Sequence, residues 1–244
     1  GAIPSADRFG RPVSAFYFNG VDYWLSAPQM VSTDFSVSFW MKTTQFGAPY
    51  EQFFDTTGLI DSESAGQMGD WGIGLSGSRV CFGINNEQNV FSQGPVNSGE
   101  WMHVTAVRDS QNGKIQLYVC GVMQSELPAS SGALTATPDV YFGRLHSSSG
   151  DNQPFFQGAL DDIRIYTRIL TAPEVAGLAA ERPIIPVSGL LAHYSFNGNS
   201  LDQSGNGRHG VDHGAAATSD RFGNAGQASS FDGANSWIGV PQMV

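Results

Sequence analysis

Residues 214–244, GAAATSDRFGNAGQASSFDGANSWIGVPQMV, repeat residues 1–31, GAIPSADRFGRPVSAFYFNGVDYWLSAPQMV, without a gap. The matched positions include Asp7 and Asp220, Arg8 and Arg221, Phe9 and Phe222, Phe18 and Phe231, Gly20 and Gly233, Trp24 and Trp237, and the closing Pro-Gln-Met-Val. From Asp7 to Asp220 the offset is 213 residues, the size of a whole domain and far longer than a solenoid repeat. The chain therefore reads as one unit taken out of register. The expected organisation is a domain over 1–185, a linker plus the leading segment of a following repeat over 186–213, and a second copy of 1–31 over 214–244.

Working outward, the composition is that of a strand-and-turn protein. Gly accounts for 30 of 244 residues, aromatics for 11% and charged residues for only 14%, which excludes a coiled coil or a disordered tail. A net charge of −10, from 12 basic and 22 acidic residues, offers no basic patch for nucleic acid or anionic lipid. Metal cations are the more natural partners. No apolar run reaches the ~18 residues of a membrane span, so no membrane partner is expected.

Short alternating runs succeed one another along the chain. Ala15 to Leu25 reads as two strands about an Asn19-Gly20 turn. Phe35 to Lys42 (FSVSFWMK) sets Phe35, Val37, Phe39 and Met41 on one face and Trp40 on the other. Trp71 to Leu75, Arg79 to Asn85, Asn89 to Ser92, Glu100 to Arg108, Lys114 to Val122, Val140 to Gly143 and Gly158 to Tyr166 continue the series, and Leu190 to Phe196 (LLAHYSF) is a further strand. Against this background Thr171-Ala172-Pro173-Glu174 is a helix capping box, and Pro183 and Pro186 end the helix that it starts. Cys81 and Cys120 fall in strands. In a three-strand meander they would be roughly 9.6 Å apart, beyond the reach of a disulfide, so a free buried pair is expected, with a bridge as the alternative if one strand is misplaced.

These segments, with DRFGNAGQASSFDG, EWMHVTAVRDSQNGKIQLYVCGV and FQGALDDIRIYTRILTAPEVAGL, resemble in cyclic order the segments of the laminin-G-like, concanavalin A-like jelly rolls. The resemblance implies an all-β sandwich of two antiparallel sheets with one short helix. It also implies a calcium ion where the first and last strands meet, carried over here to Asp161, Asp202 and Asn206, with the Gly20 carbonyl and Asp22 near by. Period two would put Asp161 beside Ile163 and Ile165, where a carboxylate needs a cation or hydrogen bonds; the alternative is a solvated turn. Because residues 1–185 hold Asp161 and residues 189–213 hold the leading segment, the tail either folds back or joins a neighbouring copy.

Three function classes remain. Catalysis would need paired carboxylates on a strand facing a cleft, whereas Asp61-Ser62-Glu63 reads as part of a polar loop and His103 and His193 stand alone; no enzyme is expected. Glycan binding would use Trp71, Tyr50 and His146, in or beside loop-rich regions. A domain-length acidic repeat joined by a Pro-rich linker points to an extracellular calcium-binding adhesion or structural repeat, with neighbouring copies and surface glycans as partners. A carbohydrate-binding module of a secreted protein is the alternative.

Overall fold

The computed structural model describes residues 1–64, 66–136, 138–145, 154–181, 191–196, 198–202, 206–220 and 223–240. They form two compact units, Gly1–Glu181 and Arg182–Val244.

In the first unit the strands are β1 (Ile3–Ser5), β2 (Ala15–Asn19), β3 (Leu25–Ala27), β4 (Phe35–Lys42), β5 (Thr57–Ser62), β6 (Trp71–Ser76), β7 (Arg79–Ile84), β8 (Val90–Phe91), β9 (Trp101–Asp109), β10 (Lys114–Val119), β11 (Val122–Pro128), β12 (Val140–Phe142) and β13 (Gln157–Tyr166). A seven-stranded sheet has the order β1-β2-β13-β4-β9-β10-β11, and a six-stranded sheet the order β3-β12-β5-β6-β7-β8. Every pairing in both is antiparallel. The all-β jelly roll with one helix is thus the fold.

Alternation in β4 works as read. Phe35, Val37, Phe39 and Met41 are all fully buried, and with Phe18 of β2, Trp71 and Ile73 of β6 and Phe82 of β7 they fill the space between the sheets. Burying a side chain of this size contributes roughly 1.5–3 kcal/mol, so this layer dominates the stability of the unit. The single helix α1 (Ala172–Ala180) starts at its capping box, where Glu174 Oε2 accepts the Thr171 backbone N–H at 2.8 Å. Its Val175 packs with Leu170 on Val107 and Tyr118, on the outer side of the seven-stranded sheet.

Three local expectations are corrected. Asn19-Gly20 does not close a hairpin, because β2 and β3 belong to different sheets. Asn19 Oδ1 accepts the N–H groups of Val21, Asp22 and Tyr23 at 3.0–3.1 Å, and this side-chain cap turns the chain across the sandwich instead. Likewise β7 does not join β9 and β10 in a meander. Both cysteines are free, but only Cys81 is buried; Cys120 is exposed in the turn after β10, at φ 48°. The expected strand over Leu190–Phe196 is also not formed: among its described residues Tyr194 makes one isolated antiparallel bridge, to Asp202.

The second unit is built of two small ribbons. β14 (Val211–His213) pairs with β17 (Trp237–Gly239), and β15 (Ala216–Thr218) pairs with β16 (Ala228–Ser230). The second copy of the repeat keeps the local ribbon of the first, since β15 and β16 pair in the register of β1 and β2, with Ala216 opposite Ser230 as Ile3 is opposite Tyr17. What differs is the next strand, because β17 pairs with β14 whereas its counterpart β3 pairs with β12.

Candidate functional site

Asp161 is where the carry-over placed a metal, and the chain supplies a cation of its own. Arg8 Nη1 donates to Asp161 Oδ2 at 2.9 Å and Arg8 Nη2 meets Asp162 Oδ2 at 2.7 Å, while the guanidinium lies 4.8 Å from the Trp40 ring centroid. The side chains of Arg8 and Asp161 are only 5% and 6% exposed. Burial raises the Asp161 pKa above the ordinary value, with Arg8 acting in the opposite direction.

Asp161 does not share a face with Ile163 and Ile165. It pairs with Trp40, whereas Leu160 pairs with Met41 and Ile165 with Val37 on the core side. The register shifts between Asp161 and Arg164, with Asp162 at φ 49°, and one extra residue on β13 reverses the alternation. Within the same unit, Gly20 and Asp22 lie apart from Asp161. Asn19 pairs with Gln157, four strand residues from Asp161, so the Gly20 turn is about 13 Å away along β13. There Asp22 Oδ1 accepts from Asn19 Nδ2 at 2.8 Å.

Asp202 and Asn206 belong to the second unit. Asp202 accepts the His193 and Arg208 N–H groups at 2.9 and 3.0 Å, and Asn206 donates to the Leu191 carbonyl at 3.2 Å. A calcium ion needs six to eight oxygens at 2.3–2.6 Å. Among the described residues no group of three or more His, Cys, Asp or Glu side chains is placed to hold a metal ion. Within Gly1–Glu181 the Asp161 carboxylate is already paired with Arg8.

The three residues proposed for a sugar fare differently. Trp71 is fully buried, with its ring 5.1 Å from that of Phe35, and presents no face to a ligand. Tyr50 is exposed but makes no ring contact with another described residue. His146 lies outside the described residues.

An aromatic platform does exist at the β3–β12 end of the six-stranded sheet. Trp24 and Tyr141 stand 5.6 Å apart, and Arg144 reaches the rings of Trp24, Tyr141 and Phe155 at 5.3, 5.8 and 5.5 Å. Trp24 is delivered by the Asn19-capped turn that leads directly into β3, and Arg144 by a constrained turn after β12. Gly143 has φ 82° and lies directly on the Phe18 ring, so a side chain there would meet both strain and a collision. Gly58 of β5 lets the Arg144–Leu145 backbone approach, because a Cβ at that position would strike it. Arg144 Nε donates to the Leu145 carbonyl at 3.0 Å, and Arg144 forms no ion pair among the described residues.

The middle of the same face is closed. Across the sheet Tyr141 pairs with Asp61, Asp61 with Gly72 and Gly72 with Gly83. Phe53, fully buried in a short 3-10 turn over Phe53–Asp55, lies on Gly72 and Gly83, which have no Cβ to hold it away. Asp61-Ser62-Glu63 is therefore not an exposed polar loop: Asp61 and Ser62 form the buried end of β5, and Glu63 is buried just beyond it. Burial, reinforced by Asp70 and Asp55, raises the Glu63 pKa to about 7.

Against this geometry the comparisons are informative. The family model described as the concanavalin A-like lectin/glucanases superfamily matches residues 18–176, well over half of the chain. The chain belongs to that superfamily. Among solved structures, domain 4 of AbnA, a GH43 extracellular arabinanase from Geobacillus stearothermophilus, in complex with arabinotriose, is similar at 19% identity and a TM-score of 0.56, covering 73% of this chain and 81% of that one. The CBM40 of the Ruminococcus gnavus IT-sialidase, bound to α2,3-sialyllactose, aligns at 13% identity and a TM-score of 0.54, over 68% and 97%. The binding domain of Paraclostridial Mosquitocidal Protein 1 aligns at 15% identity and a TM-score of 0.56, over 91% and 55%. At such identities the likeness is one of fold. As a superfamily jelly roll the chain has a binding-domain architecture, and no described helix is long and apolar enough to cross a membrane.

Sequence reasoning missed Trp24, Tyr141, Arg144 and Phe155. One signal was available, since Trp24 is a position kept in both copies of the repeat, and its counterpart Trp237 is exposed too. Nothing local marks Tyr141 or Arg144, which meet Trp24 only through strand pairing.

Proposed function

We propose that the chain is a non-enzymatic carbohydrate-recognition module of an extracellular protein, with the Trp24–Tyr141–Arg144–Phe155 platform as its ligand surface. The observation that carries this reading is a guanidinium set among three rings without an acidic partner among the described residues. Aromatic faces stack on the C–H faces of sugar rings, and a fixed guanidinium fork donates in pairs to vicinal hydroxyls or to a carboxylate. A guanidinium with no acidic partner among the described residues favours sugars that carry a carboxylate. Two similar folds hold arabinotriose and sialyllactose, which supports sugars as the ligand class. The burial of Asp61 and Glu63 supports a binding rather than a hydrolytic role.

A glycan array of neutral and acidic oligosaccharides, followed by calorimetry, tests this. Trp24→Ala and Arg144→Ala should each weaken binding about tenfold, near 1.4 kcal/mol, the scale of one lost stacking or charge-assisted contact. Arg144→Ala should cost most for acidic sugars. Absence of binding across the array, or binding indifferent to Trp24→Ala, would overturn the reading. The exact 213-residue offset of the internal repeat favours a second reading, an adhesive array in which such modules recur.

A further inference from the structure

β13 is paired on both sides only in its first half. Gln157 to Leu160 pair with β2, and β4 runs beside the strand to Tyr166, but among the described residues none pairs with Asp162–Tyr166 on the side away from β4. Next to this free edge a groove of about 590 Å³ opens between the sheets. Leu160, Ile163 and Ile165 line it from β13, and Leu25, Met30 and Phe142 from the opposite side. Phe16 pairs with Leu160 and so shares its core-facing side with the buried Phe18, yet Phe16 is 44% exposed. The sandwich thus has an apolar side that its own described strands do not cover, beside strand N–H and C=O groups that no described strand pairs. Such an edge is a template for one more strand.

The sequence contains a matching strand. In LLAHYSF, residues 190–196, alternation puts Leu190, Ala192, Tyr194 and Phe196 on one side and Leu191, His193 and Ser195 on the other. Its length of about 20 Å spans the free part of β13. The segment also precedes a copy of residues 1–31, the stretch whose first copy supplies Phe16, Leu25 and Met30 to the groove. Within its own unit the described part of the segment is held by side-chain contacts, with the Tyr194 hydroxyl donating to the Arg208 carbonyl at 2.5 Å and its ring stacked on Phe196, but it enters no sheet: Tyr194 makes one isolated bridge, and Leu191 is 47% exposed. Each chain therefore carries one acceptor groove and one donor strand.

We propose that the groove beside Asp162–Tyr166 receives residues 190–196 of a second copy of this chain, which add a strand to the seven-stranded sheet. Backbone hydrogen bonds to β13 provide the ladder, and Ala192, Tyr194 and Phe196 face Leu25, Phe142 and Ile165. Donor and acceptor are different surfaces, so the contact is heterologous and joins copies either as reciprocal pairs or head to tail. This inference does not depend on the sugar platform, which lies on the other sheet.

Sedimentation velocity of the full chain over a wide concentration range is the test. The wild type should associate as concentration rises. Tyr194→Asp with Phe196→Asp, which leaves the acceptor untouched, should be monomeric. The free peptide LLAHYSF should dissociate the wild type and bind the double variant one to one with a raised melting temperature. A wild type monomeric at every concentration would overturn the proposal, as would association unaffected by both the double variant and the peptide. A monomer that refuses the peptide, but that Tyr194→Asp destabilises, would mean the groove is filled by the chain's own segment and would equally overturn it.

Discussion

Replacing Arg8 by Ala removes the cation that faces Asp161 and Asp162, and the consequence follows from the geometry. Arg8 meets Asp161 at 2.9 Å with both side chains nearly excluded from water, and covers the Trp40 ring. Breaking a buried pair by deleting one partner costs about 3–5 kcal/mol, because the other charge is left without compensation. Asp162 is more than one-third exposed and can rehydrate, which brings the expectation to about 2–4 kcal/mol at pH 7. For a unit of this size that is a fall in Tm on the order of 8 °C.

The sign of the pH dependence follows from Asp161. Burial already lifts its folded-state pKa above the unfolded value of 3.8, and loss of Arg8, which lowers it, lifts it further. Folding of the variant then takes up a proton, so its deficit grows as pH rises through that raised pKa and shrinks in acid. Urea titrations of wild type, Arg8→Ala, Asp161→Asn and the double variant, at acidic and neutral pH, measure the coupling directly. The double variant should recover part of the Arg8→Ala loss, and chelator should leave the wild-type melting curve unmoved. A loss below about 1 kcal/mol with no pH dependence would refute this account. So would a wild-type Tm that rises with calcium and no longer does so in Asp161→Ala.

Two further outcomes follow from buried titratable groups. Glu63, raised to about 7 by burial, loses its favourable protonated form as pH rises from about 4.5, so Glu63→Gln should remove this group's destabilising contribution between about pH 4.5 and 7; urea titrations across that range check it. His103 opposes this trend. Burial lowers its pKa to about 4, so it stabilises the fold as pH rises from about 4 to 6.5, and Glu63→Gln should reveal a net gain over that window. Burial also raises the Cys81 thiol to about 11, while Cys120 is exposed, so a thiol reagent should label one cysteine in the native protein and two in denaturant. Rapid labelling of both under native conditions would contradict the burial of β7.

Much of the fold was legible because its signals are local. Period-two alternation in Phe35–Lys42 states which side chains go inward, and the Thr171–Glu174 box states where the helix begins; both hold in the structure. The repeat and the cyclic order of segments are properties of the text alone, and they led to the superfamily before any coordinate.

What tertiary structure decided is which strands are neighbours, and that choice is not local. Alternation cannot tell a hairpin from a crossing, so the Asn19-Gly20 turn joins two sheets and not two strands of one. A bulge in β13 reverses the faces of Asp161 and Ile163, which no periodicity count anticipates. Arg8 finds Asp161 across 153 residues, and Trp24 finds Arg144 only because β3 pairs with β12. Trp71, by contrast, looks like a ligand residue in a polar stretch and proves to be core, because burial depends on what packs over a strand and not on its immediate neighbours in sequence.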